Sequence, residues 1–523
     1  MKKRFVFFGI FLLVLVGFVF SINFLASESF VAGQTHYIRS GTGLTEKCGD
    51  DWNTACDDLP ADLIRGYTYY VADGHYNLYS FNDPEDGEKW ITIKKAISTD
   101  HGTSTGWQES YGDNNAIFDG TLTFRKGYYS IDGQTRNEND WTDSSSYGFW
   151  IQADLETHYY GVRMTADGPG VKNVNFSYID ISAGMDETNC ENKFSGMYLV
   201  GGQEKMYLGY NYIHGVGIPI KVESVTDVII EKNYVGPSWS KEAIRGTGTL
   251  HNYEIRYNKF VDNGAGACVS LTADIGVWEG QTKADNWFIY GNIFHDTGKY
   301  PVMRSSKMIF GGSEEHEEVV SNWKIYNNVM YNMNGHLDIV TRGGENNLVA
   351  NNILAPGLSY KGAESAPVSC GGTNTECKNN WCYNIHDYNA PSGFDCELLK
   401  TNHPTTIVGT ENPFVDVANL DFRLKESFSG PSPKDAGMNL GLGFDNVDLY
   451  GNTRGADGSW DVGAYELVSG EVPPPPQMGT NGEDDDEDDS GTTPTIEYET
   501  QGECVSNQCE YTATKQTIKF ELK

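Results

Sequence analysis

Along the middle of the chain one pattern recurs: a short apolar run, an asparagine, and a second apolar run. It reads "LGYNYI" at Asn211, "IEKNYV" at Asn233, "IRYNKF" at Asn258, "IYGNIF" at Asn292, "IYNNVM" at Asn328, "VANNIL" at Asn352 and "CYNIH" at Asn384. Asparagine is depleted in strands and favoured at bends, so each one marks a corner between two strands. Successive asparagines stand 22 to 36 residues apart. The lower figure is about what one turn of a coil of three short strands needs at ~3.3 Å per residue. The longer gaps predict loops inserted into single coils. A bend residue often takes the left-handed backbone region that asparagine tolerates. Coils stacked ~4.8 Å apart would bring the amides into hydrogen-bonding register as a buried ladder. "VNFSYI" in the preceding coil puts Ser177 at the equivalent point, where the ladder starts or is capped.

The strand after each bend carries the candidate chemistry. These segments read "MYLVGG", "IPIKVE", "EAIRGTG", "CVSLTAD", "YPVMRSS" and "LDIVTRGG". In "IPIKVE" the alternation sends Ile218, Ile220 and Val222 inward and leaves Lys221 and Glu223 outward. Comparable positions in later coils hold Arg245, then Ser270 or Thr272, then Arg304, then Arg342. The expectation is a basic stripe, either paired with carboxylates such as Glu223, Glu242 and Asp338 or forming a groove for a polyanionic chain. Lys221 and Arg245 are 24 residues apart with Asn233 midway, one coil of separation.

Composition sharpens this picture. With 59 glycines and 13% aromatic residues, the chain suits an all-β protein with many turns. Its formal charge of −34 argues against nucleic acid as a partner and makes local concentrations of cations worth noting.

The chain ends read differently from the middle. Lys2, Lys3 and Arg4 precede an uncharged apolar run over residues 5–25, which makes residues 1–33 a secretory signal or a retained membrane anchor. Either way the remainder is exported, to the cell surface or beyond. Residues 34–470 form the coiled domain, and residues 471–495 a proline-rich, then acidic linker that cannot bury a core. Residues 496–523 alternate like a short hairpin tied by Cys504 and Cys509. In an exported chain ten cysteines favour disulfides. Cys48 with Cys56 closes one small loop; Cys370, Cys377, Cys382 and Cys396 form a local cluster with three pairings open; Cys190 and Cys268 remain.

The coil repeat, the opening "THYIRSG…LIRGYTYYVADGHY" and the closing "DGSWDVGAYE" resemble the right-handed parallel β-helix of the pectate-lyase-like superfamily. The resemblance implies an N-terminal cap formed by the opening, a final strand formed by the closing, and a short C-terminal β appendage. "IKVES" around Lys221 and "IRGTG" around Arg245 also bear a loose resemblance to the chondroitinase B and alginate lyase family, whose members use a lysine base and an arginine acid on adjacent coils. That likeness implies β-elimination on an anionic, uronate-containing polysaccharide. Chemically this needs the sugar carboxylate neutralised, the neighbouring proton abstracted and the leaving oxygen protonated. A lysine crowded by an arginine has its pKa lowered and can serve as the base. Arg304, Arg342, Tyr198 and Glu223 are the candidate substrate-binding residues. The family's acidic calcium ligands are missing before Lys221 ("HGVGIP"), as is the histidine after Arg245, so calcium stays open and no other cofactor is indicated. The alternative is a non-catalytic glycan-binding or adhesive surface protein; in either case the chain is read as a monomer.

Four aspartates near the same face, Asp262, Asp274, Asp296 and Asp338, are assigned to turns rather than to a hydrolase pair. His214 and His295 are expected to share a column three coils apart, and Trp239 and Trp278 are read as exposed aromatics with Tyr198.

Overall fold

The computed structural model describes residues 34–467, apart from 154–158, 166–169, 187–193, 201, 203, 240–241, 264–274, 278–282, 298–308, 312–318, 333–338, 342–343, 360–367, 371, 388–395 and 443–445. The signal or anchor segment, the acidic linker, the C-terminal segment and Cys190, Cys268, Cys504 and Cys509 lie outside the described residues. Almost every strand pairs in parallel with the strand one coil away, giving long sheets of 13, 12 and 10 strands. One complete coil illustrates the course of the chain. Glu204–Gly209 lies in the first sheet, Tyr212–His214 in the second and Ile218–Glu223 in the third, after which Thr226–Glu231 returns to the first. This is a right-handed parallel β-helix, the hand that parallel crossovers take.

Period-two alternation builds the core. In the third sheet, Val162, Met197, Ile220, Ile244 and Ile275 fall in register on successive coils, and all are fully buried. In the second, Ile213, Val235, Phe260, Phe294, Met330 and Leu354 form the matching column. Each such side chain contributes about 1.5–3 kcal/mol of burial. Flat rings stack along the axis as well: Tyr253, Trp287 and Trp323 lie with centroids 4.3 and 4.7 Å apart.

The asparagine ladder is present, and its details revise the reading of the sequence. Asn211, Asn233, Asn258, Asn292, Asn328, Asn352 and Asn380 stack in the bend between the first and second sheets, at 0–2% exposure. The Nδ2 of each of the first six donates to the Oδ1 of the next coil at 2.9–3.0 Å. Each also donates to a carbonyl of the preceding coil, as Asn258 does to Ile230 at 2.8 Å. The Oδ1 accepts a second bond from the backbone N–H of the preceding asparagine, as Asn258 does from Asn233 at 3.0 Å. From Asn233 to Asn352 both donors and both acceptor sites of each buried amide are thereby used.

Three corrections follow. The residue with left-handed backbone is the one before each ladder asparagine, among them Tyr210, Lys232, Tyr257 and Gly291, with φ between 52° and 65°. The asparagine is therefore selected for its amide rather than for its backbone tolerance. The last rung is Asn380, since it directly precedes the strand Trp381–Cys382, whereas Asn384 follows that strand with φ 52°. At the other end, the rung before Asn211 is Ile179, whose backbone N–H donates to Asn211 Oδ1 at 3.1 Å. Ser177 instead pairs with Gly209 and donates to Asp132 at 3.3 Å. Left-handed tolerance does explain a second, exposed ladder within the first-sheet strands, where Asn286 donates to Asn252 and Asn252 to Asp227, both at 2.7 Å and with φ of 57–60°.

The ends of the coil are closed by covalent and apolar means. Near the start, the Cys48–Cys56 disulfide forms, and Leu59 and Leu63 join the core cluster of the first coils. At the far end, the four-cysteine cluster resolves into Cys370–Cys377 and Cys382–Cys396. The second of these ties the helix Cys396–Asn402, with Leu399 buried, to the last ladder coil.

The closing segment does not form the expected final strand. After the antiparallel pair Phe414–Asp416 and Asp421–Leu424, residues 433–442 and 446–466 fold back along the flank of earlier coils. There Asn327 Nδ2 donates to the carbonyls of Asp461 and Gly463, and Tyr257 Oη donates to Val447. Gly463 has φ 98°, and a Cβ there would stand 2.6 Å from Ile353 Cδ1, so only glycine fits this approach. Val462, Ala464 and Tyr465 bury with Tyr290, Tyr326 and Ile353 in a second apolar cluster on the outside of the helix.

Candidate functional site

The outer face of the third sheet carries an uninterrupted row of polar and aromatic side chains. Thr123, Arg163, Tyr198, Lys221 and Arg245 are register partners on five successive coils, each rung ~4.8 Å from the next. Alternation places them outward as expected: Ile220 and Val222 are fully buried, while Lys221, Glu223 and Arg245 are half-buried.

Tyr198 organises the row. Its ring stacks on Tyr160 at 5.0 Å, its hydroxyl donates to Glu223 Oε2 at 3.1 Å, and Lys221 Nζ stands 4.4 Å from its centroid. Burial, reinforced by the Glu223 charge, pushes the Tyr198 phenol up to about 12, so it stays a hydrogen-bond donor at neutral pH. Arg163, exposed on the adjacent rung, lies over Tyr160 at 5.3 Å. Arg245 Nη1 meets Glu242 Oε2 at 3.3 Å, and Glu242 is only 2% exposed. Of the three expected carboxylate partners, Glu242 takes a cation, Glu223 takes the tyrosine, and Asp338 lies outside the described residues.

Beyond Arg245 the next three described rungs of the third sheet carry no cation. The strands that continue the sheet are Ile275–Val277, Ile309–Gly311 and Ile339–Thr341, so Gly276, Phe310 and Val340 occupy the next rungs. Residues 262–274 and 296–308 connect the second sheet to the third in these coils, against residues 215–217 in the Lys221 coil. Ser270, Thr272, Arg304 and Arg342 lie outside the described residues. The cation on the other side, Arg163, was legible in "YGVRM", whose Val162 and Met164 are fully buried. It lies before the first ladder asparagine, where a search keyed to asparagines does not reach.

His214 and His295 do share a column of the second sheet, through Gly236 and Val261. His214 Nε2 is 3.0 Å from the fully buried Asp180 and its ring stacks on Tyr212 at 3.8 Å. His295 is buried against Tyr331 and Phe422, and burial lowers its pKa to about 3. A base whose folded pKa lies below its unfolded value near 6.5 contributes stability above that value and loses it as pH falls towards 3. In urea melts, a His295→Phe variant is expected to gain on the native protein below about pH 6.5, by about 1.4 kcal/mol per pH unit.

The remaining candidates resolve as follows. Asp262 serves a turn, accepting from the Thr297 backbone N–H at 2.8 Å and its hydroxyl at 2.6 Å. Asp296 is fully buried, and Asp274 and Asp338 lie outside the described residues. Trp239 is buried at 4% exposure, a correction to its reading as an exposed aromatic, and Trp278 lies outside the described residues. Among the described residues no group of three or more His, Cys, Asp or Glu side chains could hold a metal ion, and no helix is long and apolar enough to cross a membrane.

No family model and no curated protein matches the chain. Similar solved structures include the pectate lyase Pel9A, with 11% identity and a TM-score of 0.46 over 83% of this chain and 96% of that one. The DFA-IIIase of Arthrobacter chlorophenolicus A6 without its lid has 11% identity and a TM-score of 0.32 over 60% and 87%. PfbA, a surface adhesin of Streptococcus pneumoniae, has 14% identity and a TM-score of 0.25 over 68% and 84%. The roles of individual residues rest on the geometry above.

Proposed function

We propose that the protein is an exported carbohydrate-active β-helix protein that binds a uronate-containing glycan along the outer face of its third sheet and cleaves it by β-elimination. The observation that carries this reading is the register of Tyr198, Lys221 and Arg245 on three consecutive rungs. Arg245, a permanent cation, meets the sugar carboxylate and makes the proton on the adjoining carbon more acidic. Lys221 takes that proton. The electrons released form a carbon–carbon double bond as the glycosidic oxygen departs and takes up a proton from solvent. Tyr198 and Tyr160 offer a stacked aromatic surface to a neighbouring ring, and Arg163 a further cation for the next acidic group. The disulfides suit the oxidising compartment that export implies.

A second reading, non-catalytic glycan binding, is favoured by the engagement of Lys221 with the Tyr198 ring and of Arg245 with Glu242, both of which hold cations in place. One experiment separates the two. Purified protein is incubated with alginate, pectate, chondroitin and dermatan while the ultraviolet absorbance of unsaturated uronate ends is followed. Absorbance growth on one polymer supports the lyase; retention on a glycan column without it supports the binder; neither result on any polymer rejects both.

A further inference from the structure

The environment that the sequence suggests for Lys221, a lysine crowded by an arginine in a partly dry setting, occurs elsewhere, at Lys259. We propose that Lys259 is a reactive amine that condenses with aldehydes, the chemical class to which the open-chain reducing end of a sugar belongs. This inference is independent of the third-sheet site.

Lys259 opens the second-sheet strand Lys259–Val261, in register with Tyr234 on one side and Ile293 on the other. It is half-buried, and among the described residues its Nζ makes no hydrogen bond and no ion pair. It rests instead 4.4 Å from the centroid of the Trp141 ring. The Arg136 guanidinium lies 3.9 Å from the same ring and is itself committed, to Glu138 Oε2 at 3.0 Å and to the Lys232 carbonyl at 2.5 Å. A lysine head withdrawn from water without a carboxylate partner favours its neutral form, and a neighbouring fixed cation adds to that preference. The charged groups around it are Arg136, which opposes the ammonium, and Asp140, Glu138 and Asp421, which favour it. Burial outweighs the acids and brings the amine down to about 8.

The step is balanced without any oxidant or reductant. The nitrogen lone pair attacks the carbonyl carbon and a C–N bond forms. The two protons of the neutral amine pass to the carbonyl oxygen, the carbon–oxygen bond breaks as water leaves, and the imine remains, reversibly.

The test uses the folded, full-length protein with glyceraldehyde and cyanoborohydride, which traps the imine as a stable secondary amine, followed by peptide mapping across a pH series. Near pH 7, Lys259 is expected to be labelled at least about tenfold faster than Lys89, a lysine with 60% side-chain exposure, and its rate to reach half-maximum near pH 8. Arg136→Gln should move that midpoint upward; if its thermal melt shows the loop unfolded, Trp141→Phe replaces it and should move the midpoint downward, because a weaker cation–π contact stabilises the ammonium less. Labelling of Lys259 no faster than Lys89, or a midpoint like that of Lys89, overturns the proposal.

Discussion

Replacing Asn258 with alanine is expected to destabilise the coiled domain by about 3–5 kcal/mol, measured as a shift in urea midpoint at unchanged slope. The substitution leaves the Asn233 backbone N–H and Nδ2 and the Ile230 carbonyl without their partner in a wall that excludes water. It also removes the donor to Asn292 Oδ1. An unsatisfied buried polar group costs about 1–3 kcal/mol, and several arise at once. The contrasting change, Asn252→Gly in the exposed ladder, which keeps the left-handed backbone, should fall within about 1 kcal/mol, because water takes over the lost bonds. Equal effects at the two positions would mean that the buried ladder has no special weight.

The second large effect concerns the third sheet. On whichever polymer proves to be the substrate, Lys221→Ala is expected to lower the elimination rate by about 10²–10⁴-fold, the range associated with loss of a positioned base, while glycan retention persists. Arg245→Lys keeps the charge but loses the planar fork that meets a carboxylate in two places, and should lower kcat/KM by roughly tenfold or more. Tyr198→Phe removes the hydrogen bond to Glu223 while keeping the ring beside Lys221, and should change KM more than kcat. A Lys221→Ala variant as active as the native protein would remove the base from the scheme and leave the binding reading in place.

The fold was largely legible because its two governing signals are local. Alternation in "IPIKVE" decides which side chains enter the core, and an asparagine between two apolar runs decides where the chain turns. The errors arose where these signals are doubled or interrupted. "KNNWCYNIH" offers three asparagines, and the two-residue strand between them hides which one is buried. After Asn258 and Asn292, residues 262–274 and 296–308 separate the second-sheet strand from the third-sheet strand, so the rungs that follow Arg245 are Gly276 and Phe310, which no fixed count forward from the asparagine finds. Contacts between distant segments left no local trace. The approach of Lys259, Arg136 and Trp141 joins residues more than a hundred positions apart, and the fold-back of residues 433–442 and 446–466 over the flank could not be read from "DGSWDVGAYE".

The claim on which the account turns is that Lys221 and Arg245 face each other on adjacent rungs. Outward Cα atoms one rung apart, ~4.8 Å, fall within the span a disulfide can bridge. A Lys221→Cys/Arg245→Cys double variant is therefore expected to form that bond on mild oxidation, identified by peptide mapping, whereas Lys221→Cys/Thr247→Cys, which is two residues out of register, should not. Bridging in the second pair and its absence in the first would contradict the register and with it the proposed site.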